Sequence, residues 1–122
     1  MRNLPASFDR FRAHAQRLLD NPDLLEISEI DEIIFGKEDA EAVLIQALEQ
    51  IAAGRGETQG DPLSNLGVEG CWLMLRSMGY GLGSQSAIPA KSKGIIDKMT
   101  VCGEDEGGPY EVTFYNLVIH DW

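Results

Sequence analysis

The sequence predicts an α+β protein, in which three or four N-terminal helices pack on a small C-terminal antiparallel sheet or hairpin. Apolar residues recur at helical spacing up to about residue 54, whereas β-branched and aromatic residues dominate after about residue 94. A nearly continuous apolar segment, "VEGCWLMLRSM", lies between them. A chain of 122 residues suffices for one domain over 1–122, with a helical part at about 5–54 and a mixed part at about 67–122.

Two helices are strongly indicated in the helical part. The first begins after Ser7, a favourable N-cap residue, and ends at "DNP" of 20–22. The third is the clearest, since the apolar residues of 40–51 follow the i, i+3, i+4, i+7 template up to Gly54.

The segment 23–35 between these helices fits two kinds of secondary structure. It reads as a helix with Pro22 at its first position and with Ile27, Ile30 and Ile34 on one face, opposite the acidic residues Glu29 and Glu32. Its β-branched residues also fit a short strand.

Beyond residue 54 the pattern changes several times. The polar stretches 54–66 and 79–94 read as long loops, and the apolar stretch 68–78 fits either a buried helix or a buried strand. "GIIDKMTV" and "YEVTFYNLVIHDW" read as strands, and "CGEDEGGP" between them has the composition of a hairpin connection.

The net charge of −10 is concentrated in one part of the chain. Residues 20–49 contain ten acids and one lysine, whereas residues 1–19 contain four arginines and one aspartate. Such a chain repels nucleic-acid phosphates and anionic membrane surfaces, so we expect it to bind neither directly. A basic protein is the partner that this charge favours.

Metal and cofactor sites are not predicted. No calcium-binding loop pattern occurs, and neither His14 nor His120 has the E-x-x-H spacing of a helical metal site. Gly79, Gly81 and Gly83 lack the spacing and the following helix of a dinucleotide-binding loop.

Enzymatic activity is the alternative hypothesis. A small cytoplasmic hydrolase or transferase would use a site built from the loops 55–66 and 79–94, near Cys71 and His120. The apolar surroundings of Cys71 argue against a reactive thiol there, and two cysteines, the other being Cys102, do not make a disulfide framework.

The acidic stretch therefore predicts a docking surface, although a solvated helical surface would also explain part of its charge. The residues predicted to contact a partner are Glu26, Glu29, Asp31, Glu32, Glu38, Asp39 and Glu41. Candidate apolar anchors beside them are Tyr80, Leu82, Tyr115 and Trp122.

The function expected from this surface is binding to a basic protein, such as a nuclease or another nucleic-acid-binding protein, as an inhibitor of the toxin-immunity or phage anti-defence type. An acidic adaptor subunit of a larger assembly would dock on its partner through the same electrostatic attraction. The N-terminus carries no secretory signal and no apolar run would span a membrane, so a cytoplasmic location is expected.

Overall fold

The computed structural model describes residues 4–90 and 94–119, and it confirms the α+β class. The described residues form α1 (Phe8–Asp20), α2 (Glu29–Phe35), α3 (Lys37–Ala52), α4 (Gly67–Met78), β1 (Gly81–Pro89), β2 (Ile95–Asp105) and β3 (Gly108–Val118). A short 3₁₀ turn, Pro22–Leu24, lies between α1 and α2. No helix of this part of the chain is long and apolar enough to cross a bilayer.

The three strands form one antiparallel sheet in the order β1-β2-β3. Helices α1 and α4 contact β3. Helix α3 packs on α1 and α4, and α2 packs on α3. The core lies between helices and sheet, where Phe11 of α1 stacks on Phe114 of β3 with ring centroids 5.5 Å apart. The acidic segment 26–41 thus lies on the helical side, away from the sheet.

The apolar segment 68–78, which periodicity left open, is helical and forms most of α4. Gly79 ends this helix in the left-handed conformation (φ 79°), which glycine adopts without steric cost. Leu73, Met74 and Leu75 are all buried, so α4 is enclosed on most of its sides.

The expected hairpin is confirmed, with a tight connection at Glu106 and Gly107 between the paired residues Asp105 and Gly108. The prediction of a loop over 79–94 was wrong, because residues 81–89 form strand β1. Their glycine- and serine-rich composition is poor for a strand, but an antiparallel ladder with β2 supplies main-chain hydrogen bonds that composition does not reveal.

The segment 23–35 is only partly helical. A helix does begin at Pro22 with Asn21 as its N-cap residue, but it is a 3₁₀ turn that ends at Leu24 and not the expected continuous helix. After the 3₁₀ turn the chain is irregular up to Ser28, which caps α2 by accepting a 3.3 Å hydrogen bond from the amide of Asp31. The polar stretch 54–66 does form a connection without helix or strand, and its Leu63 is fully buried against β3.

Candidate protein-docking face

Helix α2 presents its isoleucines to solvent. Ile30, Ile33 and Ile34 are 56%, 77% and 45% exposed, respectively. The side of α2 that faces the protein carries Asp31 and the partly buried Phe35 instead. The isoleucines therefore form an apolar patch on the surface.

Asp31 was predicted to contact a partner, and the structure places it elsewhere. Its carboxylate is fully buried and accepts hydrogen bonds from Ser28 Oγ (2.7 Å), Arg76 Nε (3.1 Å) and Arg76 Nη2. The hydrogen bonds from Arg76 hold the pKa of Asp31 below its usual value. Asp31 is thus the group that ties α2 to α4, and it is removed from the candidate face.

The other six predicted residues are exposed carboxylates on or beside α2 and the first turns of α3: Glu26, Glu29, Glu32, Glu38, Asp39 and Glu41. Within the described ranges the ion pairs are Arg10–Asp105, Arg55–Asp61 and Arg76–Asp31, so none of these six is neutralised by an internal ion pair. We call these six carboxylates together with Ile30, Ile33 and Ile34 the acidic isoleucine face. It combines an apolar patch with unpaired negative charge.

A shallow depression of about 300 Å³ adjoins this face. Leu25, Ile27 and Ile45 give it apolar walls, and Glu32 and Glu41 line it as well. The single lysine of the acidic stretch, Lys37, also lines it. A long basic side chain of a partner could place its aliphatic stem on the apolar walls and its charged group near the two glutamates.

The predicted apolar anchors lie mostly outside this face. Tyr80 is buried rather than exposed, Leu82 is exposed on β1, and Tyr115 is half-buried on β3. Trp122 lies outside the described residues. Sequence reasoning missed Ile30, Ile33 and Ile34 as surface anchors because a helical pattern shows which residues share a face, not which face is buried.

A second polar cluster lies between α1 and the β2–β3 hairpin, beside a cavity of about 540 Å³. Arg10 donates to Asp105 Oδ2 from Nε (2.7 Å) and to the carbonyl of Gly108 (2.8 Å), and its guanidinium lies 4.2 Å from the Tyr110 ring centroid. The Tyr80 hydroxyl contacts that of Tyr110.

His14 completes this cluster, because its Nδ1 lies 3.1 Å from the Tyr80 hydroxyl. Burial lowers the pKa of His14, with a contribution from nearby Arg17, and burial raises the pKa of Tyr80. Both groups are therefore neutral at pH 7. Their contacts join α1 to the start of β1 and to β3.

The two cysteines lie on opposite faces of the sheet. Cys71 is buried on α4 with its Sγ 3.4 Å from Met99 Sδ, and burial raises its pKa to about 12. A thiol of this kind is not a nucleophile at neutral pH. Cys102 is exposed on the other face, and His120 lies outside the described residues.

No group of three or more potential metal-ligating side chains occurs in the described part of the chain. The chain matches no protein-family model, and no curated protein or solved structure matches it.

Proposed function

We propose that this chain is a protein-binding domain that docks on a basic protein through the acidic isoleucine face. The observation that carries the proposal is the exposure of Ile30, Ile33 and Ile34, at 56%, 77% and 45%, beside six carboxylates without internal ion pairs. Protein interfaces commonly combine an apolar centre with a polar rim.

Energetics favour a partner for this patch. Fully burying one aliphatic side chain contributes roughly 1.5–3 kcal/mol, so three isoleucines left in water forgo a large part of that gain. The unpaired carboxylates also repel one another, which opposes folding. A cationic surface with an apolar depression would relieve both costs and would be attracted from a distance.

Inhibition is the consequence that we favour, of the toxin-immunity or phage anti-defence type. A protein that handles nucleic acids presents arginines and lysines to phosphates, and the carboxylates of 26–41 carry the same charge as those phosphates. The chain would occupy the nucleic-acid surface of a nuclease or another nucleic-acid-binding protein. We propose a cytoplasmic setting, in which Cys71 and Cys102 stay reduced.

The experiment is affinity capture from a lysate of the source cells, with the wild-type chain and two charge-matched variants immobilised in parallel. The face variant carries Glu29→Lys, Glu32→Lys and Glu41→Lys. The control variant carries three Glu→Lys substitutions at exposed positions elsewhere, namely 57, 69 and 106. Circular dichroism first establishes that both variants fold.

We expect the wild type and the control variant to retain the same basic protein at low salt and to release it at high salt, because salt screens exposed charges. The face variant should not retain it. Adding the wild type, but not the face variant, to the purified partner should then block its activity. A partner that all three chains retain equally would contradict the docking face, and retention without inhibition would favour the adaptor alternative.

A further inference from the structure

The two outer edges of the sheet, those of β1 and β3, differ in how far other segments of the chain cover them. Two segments close the free edge of β3. Residues 5–7 exchange hydrogen bonds with Glu111, from the Ser7 amide to its carbonyl and from its amide to the Pro5 carbonyl, both at 2.9 Å. Leu63 donates to the Tyr115 carbonyl (2.9 Å) and accepts from Leu117 (2.8 Å). The β3 edge is therefore protected along much of its length.

The outer edge of β1 has no comparable cover in the described ranges. Its ladder runs to β2 on one side, and no hydrogen bond from another described segment reaches its other side. Eight of its nine residues are exposed, with Ile88 the exception, so the helices do not cover it either. A β-bulge between Leu82 and Ser84 interrupts the pairing near the start of β1. The strand is regular from Ser84 to Pro89.

Open edges of this length are uncommon because their unpaired amides and carbonyls pair with other strands. Proteins usually blunt them with charged side chains, inward-pointing charges or proline in the strand. Residues 81–89 contain no charged residue, and their one proline, Pro89, stands at the end. This edge lacks the usual protection.

We propose that β1 pairs antiparallel with β1 of a second copy of this chain, which joins two three-stranded sheets into one of six strands. An extended backbone edge complements any other extended strand, and a second copy of this chain presents an edge of the same length that is equally exposed and uncharged. Each copy carries a net charge of −10, and two copies can approach with least repulsion at a stretch without charge. A two-fold axis through the strand pair makes the contact self-complementary.

This dimer leaves the acidic isoleucine face free. That face belongs to α2 and the start of α3, and α3 packs on α1 and α4 rather than on β1. Like charges on the two copies repel, so salt should strengthen the dimer. The same salt weakens docking on a basic partner, which separates the two interactions experimentally.

The test is sedimentation velocity of the purified chain over a range of concentrations at low and high salt. We expect a species of twice the 13.4 kDa chain mass, more populated at high salt. If the two-fold axis passes through Gln85, the central residue of β1, the two Gln85 side chains lie opposite each other. Gln85→Glu then places like charges across the strand pair and should weaken the dimer by up to about fivefold. Gln46→Glu makes the same change on α3, which packs on α1, α2 and α4, and should leave the dimer intact.

A mixing experiment guards against a misfolded variant. Gln85→Glu and Gln85→Lys should each dimerise more weakly than the wild type when alone and more strongly when the two are combined, because opposite charges then meet across the pair. A wild type that stays monomeric at all concentrations overturns the proposal, and β1 would then await a strand of another protein. A dimer equally tolerant of Gln85→Glu and Gln46→Glu also overturns it.

Discussion

We expect the ion pair between Asp31 and Arg76 to hold α2 against α4. Asp31→Asn keeps the size of the side chain but removes its charge. Hydrogen bonds to a charged group contribute roughly 1.5–3 kcal/mol each. The Asp31 side chain is fully buried and that of Arg76 is 38% exposed, so Arg76 would regain some hydration after the substitution. We therefore expect the free energy of unfolding to fall by about 2 kcal/mol.

The assay is urea unfolding followed by tryptophan fluorescence, with Asp61→Asn as the control. Asp61 pairs with Arg55 through side chains that are 61% and 40% exposed, so its loss should change stability little. Hydrogen exchange should also show faster exchange of the α2 amides in Asp31→Asn, because a helix of seven residues is not stable alone.

The pH dependence of this effect has a definite sign. Arg76 lowers the pKa of Asp31 in the folded chain, so the stabilisation is fully present above the unfolded pKa of about 3.9 and is lost as pH falls through the folded value. Wild type and Asp31→Asn should differ at pH 7 and converge at strongly acidic pH. A difference below about 0.5 kcal/mol at pH 7, within the usual range of surface substitutions, would refute this account of α2.

Three further predictions concern the core and the cluster beside α1. In the native chain iodoacetamide should label Cys102 and spare Cys71, as measured by mass spectrometry, and labelling of both at equal rates would contradict the burial of Cys71. Because burial lowers the pKa of His14, the unfolded chain takes up its proton first. Stability should thus decline as pH falls below about 6.5. His14→Gln should flatten this decline in urea unfolding, and an unchanged slope would contradict it. Gly103→Ala should cost about 1–3 kcal/mol, since its Cβ would lie 2.6 Å from the Tyr80 ring. A melting temperature equal to that of the wild type would contradict this prediction, since the Tyr80 ring would then move aside without cost.

The sequence predicts local features well where one helix face is clearly apolar. Helix α3 follows the expected template, and its Ala40, Leu44 and Ile51 are fully buried. The first helix begins after Ser7, whose side chain accepts a 3.2 Å hydrogen bond from the Arg10 amide. In both places, local sequence and tertiary packing agree.

Strand β1 could not be predicted from the local composition of the sequence. Glycine and serine in 81–86 favour a loop, and the strand exists because β2 offers a ladder to pair with. For residues 81–86, partners 12 to 21 positions later in the chain decide the outcome, as in the pairing of Ser84 with Thr100. Composition within a window does not contain that information.

The candidate site was predicted in part for a related reason. Periodicity placed Ile30 and Ile34 on one side of α2, but the partner that selects the buried side is Arg76, 45 residues after Asp31. Ser28 and Asp31 have the spacing of a helix cap, which marks the start of α2. That spacing does not show that the carboxylate also pairs with α4, so only the structure removes Asp31 from the docking face.

The most direct test of the central claim is a hydrogen-exchange footprint of the complex with the partner that affinity capture identifies. Backbone amides of α2 and the first turns of α3, over residues 29–41, should exchange more slowly in the complex than in the free chain. The amides of 54–66 should be unchanged. Protection confined to other segments, with 29–41 exchanging as in the free chain, would contradict docking through the acidic isoleucine face.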